Sequence, residues 1–194
     1  MRFLLGLVLG LLILPLCVLV YLHLGHPPVA VADSAFPFEK QIVRVPLQAR
    51  IDNEMPKSAP IEASATNLTA GAQIYREQCA ACHGLYGRPS AYAAHMYPHA
   101  PQLWAPHRNG VIGVNDDPVG ETWWKVTNGI RLTGMPAFNK VLNETQIWQV
   151  TVLLKSAGQP MSPEVMKLLT TPLEYGVAQS SVSSPIPAQA TSGH

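Results

Sequence analysis

Charge is sparse in this chain: 13% of its 194 residues are Asp, Glu, Lys or Arg, and thirteen basic against twelve acidic side chains leave a formal net charge of +1. There is no basic run to neutralise a line of phosphates, which argues against nucleic acid as a partner. Cysteine is sparser still. Of the three, Cys17 lies in an apolar run, while Cys79 and Cys82 stand with two residues between them, so the chain has no disulfide framework to staple a small fold. The apolar share of 47% is inflated by the first two dozen positions, and the folded core must be smaller than the length suggests.

Charge is absent altogether between Phe3 and Leu22, a run of 20 residues. At about 1.5 Å per residue it just spans a hydrocarbon core. It exceeds the apolar region of about 7–15 residues found in secretory signals, which favours a retained anchor. The competing reading is cleavage after Ala32, at Ala30-Val31-Ala32, ten residues beyond the run. Both readings export the rest of the chain, because Arg2 and the terminal amine are the only positive groups near the start and should stay cytoplasmic. Cys17 comes after Leu14-Pro15-Leu16 rather than a small residue and reads as an apolar filler. Gly6 and Gly10 form a G-x-x-x-G pair that would permit close helix approach.

The chemistry concentrates at Cys79-Ala80-Ala81-Cys82-His83. C-x-x-C-H is the attachment signature of c-type haem: two thiols at this spacing reach the two vinyl groups, and the next side chain meets the iron. A thioredoxin-like dithiol would want a preceding strand, and zinc a second ligand pair; a helix leads in here and no such pair is present. His83 is therefore the expected proximal ligand. For the opposite face the best candidate is Met135, in Gly134-Met135-Pro136-Ala137-Phe138, 52 residues beyond His83. A thioether favours ferrous iron and occupies the position an exogenous ligand would take. The glycine before it is expected to permit a tight loop. His95, Met96, His99 and His107 are the rivals.

Around this motif the sequence predicts a folded unit over residues 66–158. One helix runs from Leu68 to the cysteines with Ala72, Tyr75 and Cys79 on a shared face. Another starts at Asn143, with Gln146 in capping-box position, and runs to about Ala157. Residues 1–24 form the anchor. Residues 25–65, rich in Pro and Ala, read as a linker, with a short strand weighed over 41–47 and with Phe36, Phe38 and Ile42 free to dock on a neighbour. Residues 159–194 hold one short helix capped by Ser162 and a tail, from about Tyr175, whose Ser, Ala, Pro and Gln content predicts disorder. Asp116 and Asp117 lack the alternating oxygen spacing of a calcium loop.

Gly71-Ala72-x-x-Tyr75-x-x-x-Cys79-x-x-Cys82-His83-Gly84, then Ala100-Pro101-x-Leu103, Asn128-Gly129-Ile130 and Gly134-Met135-Pro136-Ala137-Phe138 resemble, in order, the motifs of class I monohaem cytochromes c. The resemblance covers residues 66–158. It implies an all-α fold with terminal helices crossing near Gly71 and Tyr75, one covalent haem c with His83 and Met135 as axial ligands, and the Pro101 carbonyl on Nδ1 of His83, with Pro89 a weaker choice. The stretch from His107 to Val126 is insertion-like beside the shortest members. Within it Trp123 is a candidate donor to one haem propionate, and Arg131 further on a candidate partner for the other. The activity implied is outer-sphere transfer of single electrons, with no catalytic residue. The expected setting is a single-pass protein of a bacterial inner membrane with its haem domain in the periplasm. Its expected partners are a quinol-oxidising complex or dehydrogenase on one side and a terminal oxidase or reductase on the other. A fixed subunit of a larger respiratory complex is the alternative. A peroxidase or gas sensor would need an open sixth position.

Overall fold

The computed structural model describes residues 2–173, and the tail expected to be disordered from Tyr175 lies outside the described residues. Among the described residues seven α-helices succeed one another: α1 (Arg2–Leu24), α2 (Glu39–Glu54), α3 (Ala65–Gln78), α4 (Ala80–His83), α5 (Val119–Asn128), α6 (Glu144–Lys155) and α7 (Pro163–Thr170). Among the described residues there is no strand, only the isolated bridges Leu85–Arg88 and Pro106–Ile112. The all-α expectation holds. The chain divides into two compact units at Arg50 and Ile51.

In the first unit the Gly6–Leu24 part of α1 is long and apolar enough to cross a membrane, with none of it buried. After it, the Asp33 carboxylate accepts the N–H groups of Val29 and Ala30, each at 2.8 Å. These two bonds, that of Ala30 foremost, hold the carboxyl below its ordinary pKa. The Ala30–Ala32 segment is thus part of an ordered turn.

The strand weighed over 41–47 is not formed; those residues belong to α2. Helix-favouring features on either side of the segment prevail. Glu39 accepts the Phe36 N–H at 2.8 Å, placing an acidic group at the helix start. Leu47-Gln48-Ala49-Arg50 then supplies good helix formers. The expectation of a linker throughout 25–65 also gives way. Ile51 is fully buried, and Trp124 Nε1 donates to Glu54 Oε2 at 2.9 Å. A Cβ at Gly120 would overlap the Pro56 carbonyl oxygen, so residues 51–56 lie directly on α5. The sequence shows no long periodic segment there because only Ile51 of α2 is inward.

In the second unit α3 crosses α6. Ser64 caps α3 by accepting the Asn67 N–H at 3.3 Å, and Gly71, Ala72, Ile74 and Tyr75 are buried. A Cβ at Gly71 would collide with the Gln149 carbonyl oxygen; the close approach of two backbones requires glycine. Asn143 and Gln146 form the reciprocal capping box at the start of α6. Ile147, Trp148 and Val150–Leu154 are all buried, which makes α6 the central helix. α7 starts at the Ser162 cap and buries Val165 and Leu169. Its last carbonyls are met by the Arg76 guanidinium, which donates to Leu168 at 3.2 Å, to Pro172 at 2.8 Å and to Thr171. A cation there suits the negative end of the helix.

Candidate functional site

The helix leading to the first cysteine ends at Gln78. Cys79 (φ −118) turns the chain into α4, with the N–H groups of Cys82 and His83 both returning to its carbonyl at 3.1 and 2.9 Å. One turn thus presents both sulfurs and the imidazole. Cys79 and Cys82 are free and half-buried. Burial, with Cys82 nearby as a lesser cause, pushes the Cys79 thiol up to about 12, so it stays protonated and ill-suited to thiolate redox exchange.

His83 Nδ1 lies 2.8 Å from the Pro101 carbonyl oxygen. A carbonyl accepts only, so Nδ1 carries the proton and Nε2 keeps its lone pair. Burial lowers the imidazole pKa, opposed by the Pro101 contact, and the ring is held neutral as a metal ligand must be. Pro89 is exposed and does not take this place.

The segment bearing Pro101 is fastened by Gln102, a residue to which no sequence motif pointed. Gln102 donates to the carbonyls of Cys82 (3.3 Å) and Ala100 (3.2 Å), and its oxygen accepts the Ser90 N–H at 2.7 Å. Gly84, at φ 74, makes room for that amide: a Cβ there would lie 2.5 Å from Gln102 Oε1 and 2.8 Å from the Arg88 carbonyl. The Tyr75 hydroxyl donates to the Gly84 carbonyl at 2.7 Å. A glutamine in a loop carries no sequence signal for such a role.

Met135 sits in a tight loop entered at Gly129, φ 66. The Ile130 N–H donates to the Met135 carbonyl at 3.2 Å, and the Met135 N–H donates to Thr133 Oγ1 at 3.1 Å. Gly134 does not serve the purpose expected of it. Its φ is not in the left-handed region, whereas Leu132 has φ 63. A Cβ at Gly134 would come 2.6 Å from the Met96 methyl, the free end of a flexible side chain. Met96 therefore packs beside the methionine loop.

The other candidates occupy separate places. Trp123 stacks on Trp148 with ring centroids 5.4 Å apart. Arg131 and His95 are exposed. His99 Nδ1 lies 2.9 Å from the Ala93 carbonyl oxygen, and His107 Nε2 contacts that of Gly113. Asp117 faces Lys125 at 3.6 Å.

These residues fit a large, flat, mostly apolar group with a few polar ends. Cys79, Ile112, Val114, Trp123 and Met135 line the margin of the core cluster, each packed on it yet only partly buried. Also buried, with no hydrogen-bond partner, are the indole N–H groups of Trp123 and Trp148 and the Thr127 hydroxyl. Buried donors without partners are costly, and a bound group with acceptor atoms would relieve them. Comparison with known proteins agrees. Residues 66–154 match the family model described as cytochrome C oxidase, cbb3-type, subunit III, whose domains bind covalently attached haem c. No curated protein and no solved structure matches the chain. Residues 66–154 are a c-type cytochrome domain, an electron-transfer module built around covalently attached haem c.

Proposed function

We propose that the chain is a membrane-tethered electron carrier whose haem is bound through Cys79 and Cys82 and ligated by His83 and Met135. The observation that carries this reading is the 2.8 Å contact of His83 Nδ1 with the Pro101 carbonyl, immediately after two cysteines at attachment spacing. It leaves a neutral, oriented Nε2 as ligand, and hydrogen bonding of the distal nitrogen raises ligand basicity. When bound, haem c supplies a one-electron ferric/ferrous couple. The chain's own residues hold it by two thioether links, orient the imidazole, and keep a thioether in a loop cross-braced by Ile130 and Thr133. The unpartnered Trp123 N–H is available to a haem propionate; Arg131, exposed beside the methionine loop, is the candidate partner for the other propionate.

Helix α1 supports tethering, with Arg2 on the cytoplasmic side and the haem domain in the periplasm of a bacterial inner membrane. The partners in this reading are a quinol-oxidising complex or dehydrogenase as donor and a terminal oxidase or reductase as acceptor. A second reading, a fixed haem subunit of a terminal oxidase, is favoured by the oxidase-subunit family that residues 66–154 match. The two differ in whether the detergent-extracted protein purifies alone or with oxidase subunits.

Met135→Ala tests the ligand set. The ferric protein should lose its weak near-infrared sulfur-to-iron band, the reduction potential should fall, and the ferrous protein should gain carbon monoxide binding. An unchanged spectrum and potential, with both altered in His95→Ala or His107→Ala instead, would assign the sixth position to histidine and defeat the high-potential carrier reading.

A further inference from the structure

The chain that leaves α1 folds back on the end of that helix. Tyr21 stands one turn from the last residue, Leu24, where a spanning segment meets the headgroups and where tyrosine is enriched. Its ring centroid lies 6.5 Å from that of Phe36. The Phe36 carbonyl accepts the Glu39 N–H at 3.0 Å, and the Phe36 N–H donates to the Glu39 carboxylate. Through Phe36 the first turn of α2 is therefore tied to the end of the span.

From that point α2 shows two unlike faces. Val43, Leu47 and Ile51 recur at steps of four and are half-buried or buried. Ile42, Val45 and Ala49 recur at steps of three and four on the opposite face, and all are exposed. Ile42 is 65% and Val45 67% accessible, so the packing of the helix does not account for this second stripe. Phe38, four residues before Ile42, extends it. It is 74% exposed and has φ 63, a conformation that a bulky side chain resists. The Ile42 N–H, donating to the Phe38 carbonyl at 2.9 Å, fastens it there. Strain kept at an exposed aromatic points to function. Lys40 and Arg44 are exposed in the same two turns, and no Asp or Glu occurs from Lys40 to Ile51.

We propose that Phe38, Ile42 and Val45 enter the headgroup layer of the bilayer that α1 crosses, with Lys40 and Arg44 on the phosphates of anionic phospholipid. The proposal rests on the tethered reading above. Lipid is the occupant because the stripe starts beside Phe36, which lies against the aromatic residue at the edge of the span, and because the nearby side-chain charges are cations. A helix with one apolar face and basic residues off that face lies in the plane of the interface. α2 is then a second attachment to the bilayer rather than a spacer in water.

The test places full-length, haem-loaded protein in lipid nanodiscs of phosphatidylcholine and phosphatidylglycerol that include a phospholipid with a diazirine on its acyl chain. After irradiation the adducts are mapped by peptide mass spectrometry. The wild-type chain should carry adducts in α1 and over residues 36–45. Ile42→Asn with Val45→Asn should keep the haem spectrum and the α1 adducts, while adducts over 36–45 fall about tenfold. Discs of phosphatidylcholine alone, or Lys40→Gln with Arg44→Gln, should lower the 36–45 yield about fivefold or more. Adducts in α1 alone overturn the proposal and leave the tether standing, and the exposed face then belongs to a neighbouring protein. Adducts over 36–45 that persist unchanged in the asparagine pair, or in both neutral lipid and the glutamine pair, also overturn it. No adducts in α1 would remove the tethered reading, and this attachment with it.

Discussion

Tyr75 shows how much one buried hydroxyl contributes to the geometry of the site. Its O–H donates 2.7 Å to the carbonyl of Gly84, the residue that ends the attachment motif and carries φ 74. Burial raises the phenol's pKa, so it remains a donor throughout the accessible range. Tyr75→Phe keeps the ring against Trp104, 5.6 Å away edge to face, but strands the carbonyl. The expected cost is about 1–2 kcal/mol, read by denaturant unfolding of the haem-loaded protein. No loss would mean that the carbonyl finds another donor. The C-x-x-C-H motif and Tyr75 were legible in the sequence because such a motif has fixed spacing and a helical face repeats. Gln102 was not, nor was the packing of Met96 against Gly134, because each acts on a partner 12–20 or 38 residues away in sequence through a contact that leaves no local pattern.

Among the helices, the crossing of α3 and α6 fixes the frame into which the motif is set. At Gly71 the α6 backbone comes so close that Gly71→Ala must force the helices apart, with an expected cost of about 1–3 kcal/mol and a lower thermal midpoint. Asn143→Ala removes one half of the capping box at the start of α6. It should cost about 1 kcal/mol, while Asn143→Ser should recover most of it. Equal stability of the alanine and serine variants would show that the box contributes nothing measurable. Both features arise from local rules, capping and small-residue contact, which is why the sequence predicts them. The strand weighed over 41–47 failed for the converse reason. Its β-branched residues are a weak preference that the helix formers Leu47-Gln48-Ala49-Arg50 and the inward side chain of Ile51 override.

At the scale of the whole molecule, the haem unit starts earlier than its family resemblance does. Ile51 is fully buried and Pro56 lies on Gly120, so a fragment beginning at residue 66 loses contacts that one beginning at residue 51 keeps. The longer fragment should be more stable by about 1.5–3 kcal/mol from the isoleucine alone, measured on haem-loaded fragments expressed without α1. Identical unfolding curves would show residues 51–65 to be a passive tether. The full chain should remain in the membrane pellet through high salt and alkali, as a spanning helix requires. Recovery of a soluble protein beginning at Asp33 would establish cleavage instead.

By itself, the sequence determined the cofactor, its mode of attachment, the helical class and the apolar N-terminal run. Each of these is set by residue type at fixed local spacing: two thiols and an imidazole, a capping pair, twenty residues without charge. Tertiary structure alone decided that residues 51–56 belong with the haem unit, that Gln102 fastens the segment bearing Pro101, and that Met96 reaches Gly134. It also decided that Phe36 meets Tyr21 at the end of α1. These depend on which distant segments meet, and a meeting between backbones and single side chains far apart in the chain writes no periodicity into either partner.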